Sequence, residues 1–223
     1  MKPQQAKYVD EIIARHRAIN TNIDCEYEGK KITICPNVYS PFIAPSGNLV
    51  FEFMKKPIFK GKRVLDIGCG SGIVSCLAVD SEADFVVGVD INPDAIENSK
   101  LNAQKLGVES KTDFRLGDLF SSIKENEEFD IIFANLPFTD GQPKDMLEKA
   151  FYDSSLKSIC RFVEELPNWL KSKDAKAYLC FSDLEKFDLQ SKIVESSLDC
   201  NTFMEIDLGI FNLFIYEITK RSD

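Results

Sequence analysis

Apolar positions recur at two different spacings along this chain, and each change of spacing marks an element. Gln4 to about Ile19 has helical composition and no breaker. Ile23–Tyr27 and Lys31–Cys35 flank Glu28-Gly29-Lys30, a hairpin pattern. Asn37–Gly47 carries two prolines and a glycine and reads as a loop, with a short helix following through Leu49–Lys55. From Lys62 the pattern is regular. Strands are predicted at Arg63–Ile67, Phe85–Asp90, Phe114–Leu116, Ile131–Ala134 and Ala175–Phe181. Helices are predicted at Ile73–Val79, from Pro93 to about Leu106 behind an Asn92 cap, at Ser154–Leu170 and at Asp183–Ser196. Thr202–Asp207 and Phe211–Ile218 are separated only by Leu208-Gly209-Ile210, too short for a parallel crossover, so they must pair antiparallel. Alternating strands and helices specify an α/β chain with an open, mostly parallel, doubly wound sheet. The expected organisation is a helix, hairpin and loop over residues 1–45, followed by one domain over 46–223. Phe162, Trp169 and the phenylalanines near Phe181 fall at core spacing, and Lys124–Glu128 reads as a solvated loop.

Composition narrows the function class. The 223 residues include 27 Lys and Arg against 36 Asp and Glu, a net charge of −9, which disfavours a protein built to grip phosphate backbones. No apolar run approaches a membrane span and the N-terminus lacks a signal-peptide core, so a cytoplasmic location with no membrane partner is expected. Seven cysteines without CxxC spacing read as reduced thiols. The single histidine, His16, lies in a polar N-terminal segment and makes a histidine metal centre or triad untenable; no metal is expected.

Candidate chemistry begins at Val64–Gly72 (VLDIGCGSG), where glycines stand at alternate positions after the first regular strand. Gly68 allows the turn, Gly70 lets the backbone approach a ligand, and Gly72 lets the next helix start close to the sheet, with Cys69 between them. The pyrophosphate fingerprint GxGxxG would need glycine where Ile73 stands, and Asp66 just before the turn suits the ammonium of a zwitterionic amino acid better. Asp90, twenty residues after Gly70 at a strand end, can accept two ribose hydroxyls, with Ile91 packing on an adenine face. Asp118 can take the adenine amino group and the Leu119 amide its ring nitrogen.

In this order and spacing, DIGCGSG, VDINPDAI, GDLF and NLPF resemble the class I methyltransferases, over roughly residues 37–218. The resemblance implies S-adenosyl-L-methionine as cofactor and a Rossmann-like seven-stranded sheet with its last strand antiparallel. Asn135-Leu136-Pro137-Phe138 resembles the (N/D)PP(Y/F) motif of enzymes that methylate planar nitrogens, with Leu136 where many relatives have proline. Asn135, which would also border the cofactor, and the Leu136 carbonyl could each accept one N–H and aim the lone pair at the methyl. Phe138 would stack on the acceptor. Val38-Tyr39-Ser40-Pro41, before Ser46 and Leu49, is similar to the cofactor-covering loop of the HemK/PrmC-like group. Without the larger N-terminal domain of the bacterial members, the N-terminal helix and hairpin are expected to cover the active site. Segment 139–153, with Tyr152 and Asp153, would contribute to the acceptor pocket.

The resulting expectation is an N-methyltransferase acting on a protein side-chain amide or a small-molecule amine. Two alternatives stand beside it. One is a nucleic-acid adenine N6-methyltransferase, which a Lys/Arg face near Asn135 would mark. The other is a catalytically silent cofactor-binding subunit.

Overall fold

The computed structural model describes residues 1–221. Its centre is a seven-stranded sheet of β3 (Arg63–Ile67), β4 (Phe85–Asp90), β5 (Thr112–Leu116), β6 (Ile131–Ala134), β9 (Lys176–Ser182), β10 (Leu198–Asp207) and β11 (Asn212–Lys220). The spatial order is β10-β11-β9-β6-β3-β4-β5. The five strands β5, β4, β3, β6 and β9 run parallel, and β11 is antiparallel to both of its neighbours. This is the open, mostly parallel, doubly wound sheet expected from the strand–helix alternation, with the antiparallel end expected from the short Leu208–Ile210 connection.

Side-chain alternation divides the interior in two. Val64 faces α2 (Ser46–Met54) and α3 (Ile73–Asp80), in a layer with Phe53, Leu77, Phe133 and Ile215. Leu65 and Ile67 face the opposite layer, with Phe162 of α5 (Lys157–Glu165) and Ile193 of α6 (Leu189–Glu195). α4 (Pro93–Leu106) begins as predicted: the Asn92 side chain accepts from the Asp94 amide at 3.0 Å, and Pro93 occupies the first turn. It ends at Gly107, whose φ of +69° suits glycine.

The N-terminal residues share this interior. α1 (Pro3–Arg17) and the hairpin of β1 (Ile23–Tyr27) and β2 (Lys30–Ile34) supply Val9, Ile12, Ile13, Ile32 and Ile34 to the same cluster as Val64. β2 has only β1 as a strand neighbour, yet its backbone polar groups are met. Asn102 Oδ1 accepts from the Thr33 amide and Asn98 Oδ1 from the Cys35 amide, both at 2.8 Å, and both side-chain amides donate to the Thr33 carbonyl. Both asparagines are fully buried, so these bonds answer polar groups that water cannot reach.

Several boundaries differ from the sequence expectation. The helix predicted over Ser154–Leu170 is a single α-helix only from Lys157 to Glu165, because Ser155 and Leu156 adopt positive φ (57° and 51°). Carboxylates hold that turn: Asp140 accepts from the Ser155 amide at 2.7 Å and Asp153 from the Ser158 amide at 2.5 Å. Thr139–Asp140 (β7) and Tyr152–Asp153 (β8) make a short parallel bridge beneath it. The helix expected from Asp183 starts only at Leu189, since Asp183 instead binds the Asn212 amide and side chain at 2.7 and 2.9 Å. Lys124–Glu128 is not simply a solvated loop. Glu127 forms a two-pronged pair with Arg115 at 2.6 and 2.7 Å, which holds its carboxyl down at about 2. Phe162 and Phe181 are buried, and Trp169 stacks on Phe120 with ring centres 5.4 Å apart.

Candidate functional site

A cavity of about 410 Å³ opens at the carboxyl ends of β3, β4, β5 and β6, where open α/β sheets bind ligands. Its floor is the glycine turn. The Gly68 and Cys69 amides both donate to the Val89 carbonyl (2.8 and 3.1 Å), which folds the chain back over β4. Gly68, Gly70 and Gly72 have φ of +75°, +55° and +75°, a region that side chains resist. A Cβ on Gly70 would come no closer than 4.0 Å to any neighbour, so this stretch of backbone is open to a ligand. A Cβ on Gly72 would stand 2.8 Å from Ser99 Cα. The close approach there is to α4, not to the sheet as the spacing suggested.

Gly68, Gly70, Asp90, Ile91, Asp118, Leu119, Asn135, Leu136, Pro137 and Phe138 all line this one cavity; Asp66, Cys69 and Gly72 do not. Strand alternation explains Asp66. It shares a strand face with Val64, so its carboxylate points under α3 and accepts from Ser75 Oγ at 2.7 Å. Burial, with Asp90 nearby, raises its carboxyl to about 7. Cys69 is buried against Ser99, and burial pushes its thiol upward.

Asp90 holds the turn and the next helix together, accepting from the Gly70 amide at 2.9 Å and from the Asn92 amide at 2.8 Å. Burial raises its carboxyl, and these amides, with that of Ile91, oppose the shift. Ile91 is 45% exposed on the cavity wall, an unusual position for a large apolar side chain. Asp118 pairs with Arg161 at 2.7 Å, an exposed pair of the weak kind that exchanges partners at little cost.

The Asn135–Phe138 loop leaves β6 directly beside the turn. A Cβ on Gly68 would lie 3.5 Å from the Asn135 carbonyl oxygen and 3.6 Å from Leu136 Cδ2. Leu136, which replaces the more usual proline, is buried at this contact. Tyr39 faces Asn135 and hydrogen-bonds Ser46 at 2.5 Å, while burial lifts its phenol to about 12. The loop that carries Tyr39 lines the same cavity through Tyr39, Ala44, Pro45 and Ser46. The α1 helix lines the cavity too, through Tyr8, Val9 and Ile12. The hairpin does not; it packs on α4.

His16 is buried and not in a polar setting. Its Nδ1 donates to the Ile12 carbonyl (2.8 Å), its Nε2 accepts from the Ser40 amide (2.9 Å), and its ring stacks on Tyr39. Burial lowers its basicity, which suits this neutral tautomer. Tyr152 and Asp153 line the cavity, with Phe151 of the same 139–153 segment, joined by Leu184 and Phe211, which sequence reasoning missed. These residues come from separate segments and share no motif. The one available signal was the apolar spacing Val9, Ile12, Ile13, His16 on α1, which predicts a buried face. Among the described residues no cluster of His, Cys, Asp or Glu could hold a metal ion, and no helix is long and apolar enough to cross a membrane.

Comparison with known proteins places this arrangement in context. A family model described as methyltransferase domain matches residues 58–201. A Methanocaldococcus jannaschii protein, provisionally named a protein N5-glutamine methyltransferase, is 34% identical over 152 residues, covering 66% of this chain and 73% of that one. The ribosomal protein L11 methyltransferase of Thermosipho africanus is 42% identical over 85 residues, but the match spans only 31% of that enzyme and 38% of this chain. Among solved structures, the 16S rRNA N2 G1207 methyltransferase of T. thermophilus, in complex with AdoMet and guanosine, aligns with a TM-score of 0.63 at 18% identity. That alignment covers 90% of this chain and 50% of the other.

Proposed function

The chain belongs to the methyltransferase domain family, and from that membership we propose that it is an S-adenosylmethionine-dependent enzyme that methylates a planar nitrogen of a protein side-chain amide or a small-molecule amine. The observation that carries the reading is the contact between Asn135 and the glycine turn, which puts the amide-bearing loop and the donor wall in one cavity.

The residues present fit the donor. The open backbone at Gly70 would receive its amino-acid end. Asp90 would accept from the ribose hydroxyls, and Ile91, Asp118 and the Leu119 amide would hold the adenine. When bound, S-adenosylmethionine supplies a methyl on a cationic sulfur, which departs as a neutral thioether with the bonding pair as the acceptor nitrogen forms the new N–C bond. Asn135 Oδ1 and the Leu136 carbonyl accept the two N–H groups of the acceptor and so fix the direction of its lone pair. Phe138, edge-on to Phe181 with ring centres 6.4 Å apart, offers a ring for the acceptor plane. The methylated nitrogen carries one proton too many, and solvent takes it; no strong base is required. Tyr39 holds the loop over this region and keeps its proton.

The glutamine methyltransferase relative favours an amide acceptor. A nucleic-acid acceptor has less support. Of the basic side chains on the cavity wall, Arg161 is already paired with Asp118, and the chain carries a net charge of −9. Two measurements test the reading. Calorimetry should detect S-adenosylmethionine binding to the purified chain, and mass spectrometry of the product should place the methyl on nitrogen. A methyl found on oxygen or carbon would sink the nitrogen assignment.

A further inference from the structure

The acceptor end of the cavity is roofed by the chain itself. α1 crosses it with Tyr8, Val9 and Ile12 facing inward, and Phe151, Leu184 and Phe211 complete an apolar wall. The helix is tied down on both sides and at both ends. Near its start, Gln5 Nε2 donates to the Ile210 carbonyl at 2.9 Å, and the Tyr8 ring meets Phe211 edge-on at 5.8 Å. At its middle, Asp10 accepts from the Tyr152 hydroxyl at 3.2 Å. At its end, Arg17 pairs with Asp145 and Glu148, both at 2.7 Å, and His16 grips the Ser40 amide.

A protein loop or nucleotide strand approaching Asn135 from this side would have to displace a 15-residue helix together with these ties. A free small molecule needs only local opening. The wall is also poor in charge. Its acidic side chain, Asp153, is engaged by the Ser158 amide, and Lys149 is exposed. Such a surface favours an uncharged, planar, largely apolar acceptor over a charged one. The same 410 Å³ cavity must hold the donor as well as the acceptor.

We propose that the methyl acceptor is a free small molecule, planar and mostly apolar, that presents an amide or aromatic-amine nitrogen and is enclosed under α1. The proposal rests on the reading that Asn135 marks the acceptor end. It departs from relatives whose acceptors are proteins or ribosomal RNA.

The test uses the full chain and methyl-labelled S-adenosylmethionine. An extract of the source cells is divided by ultrafiltration into a metabolite filtrate and a macromolecular retentate, and each is incubated separately. Label should appear in a filtrate compound, on nitrogen. Label on a nitrogen of retained protein or RNA would overturn the small-acceptor proposal while leaving the nitrogen reading intact. Label on oxygen or carbon of a filtrate compound would do the reverse, and label in neither fraction would overturn the proposal. Arg17→Ala gives a second readout, because it loosens the roof without touching the donor wall. For an enclosed small acceptor, KM should rise several-fold while S-adenosylmethionine affinity holds. Faster methylation of retentate by this variant than by the wild type would point to a macromolecular acceptor instead.

Discussion

The two halves of the cavity are built on opposite plans. The donor wall comes from one stretch, Ile67 to Leu119, at the ends of adjacent parallel strands, and its geometry is set by backbone hydrogen bonds and left-handed glycines. The acceptor wall gathers α1, the Tyr39 loop, residues 135–154, Leu184 and Phe211, held by side chains that reach across the molecule. The first plan makes a rigid cradle whose parts cannot move independently. The second makes an enclosure whose shape depends on ties that can be released one by one. A common donor with a variable acceptor needs that division.

If the halves are separable in this way, substitutions in each should have distinct signatures. Asn135→Ala should have the largest effect: kcat lower by about 100- to 1,000-fold, as for loss of one well-placed polar group at a reacting centre. S-adenosylmethionine affinity should change little. Loss of donor binding in that variant would break the separation. Asp90→Ala should act oppositely. It removes the carboxylate proposed to accept from the two ribose hydroxyls, at about 1.5 kcal/mol each, so calorimetry should show donor affinity weakened by about 100-fold. Gly72→Ala probes the cradle's rigidity, since its Cβ would collide with Ser99 at a position already of positive φ. Thermal or urea unfolding should show a loss of about 1–3 kcal/mol, with weaker donor binding alongside. Asp66→Asn is the subtlest. The wild-type carboxyl is raised from 3.8 to about 7 in the folded chain, so the folded state holds this proton where the unfolded chain has lost it. Wild-type stability from this group is full below 3.8 and is lost as pH rises through about 7. The variant, which can still accept from Ser75, should gain in Tm relative to wild type across that window; a gap independent of pH would count against the buried, proton-holding carboxyl.

The same division governs what could be read from the sequence. The cradle was legible because its requirements are local. Glycines at fixed offsets, an acidic residue at the next strand end, and the Asn92-Pro93 cap each sit next to the element they shape. Asp66 was the exception. Strand periodicity places it on the face of Val64, away from Ile67, so its position beside the turn in sequence does not bring it to the cavity. The enclosure was legible only at Asn135–Phe138 and in the VYSP loop, where a motif exists. Tyr8, Leu184 and Phe211 are ordinary apolar residues, and only the folded chain brings them together. The broken helix at Ser155–Leu156 was missed for a related reason. The carboxylates that hold it belong to Asp140 and Asp153, and the first lies fifteen residues away on another strand.

The ties of the first helix also impose an order in time. The chain leaves the ribosome N-terminus first. The β2 edge must wait for Asn102, the Arg17 latch for Glu148, and the Gln5 anchor for Ile210, at separations of 69, 131 and 205 residues. The residues of the donor cradle, Ile67 to Leu119, therefore emerge before Glu148 and Ile210 do. The roof over the acceptor cannot close until Ile210 has emerged, so enclosing a substrate is a later event than making the chain segment that forms the cradle.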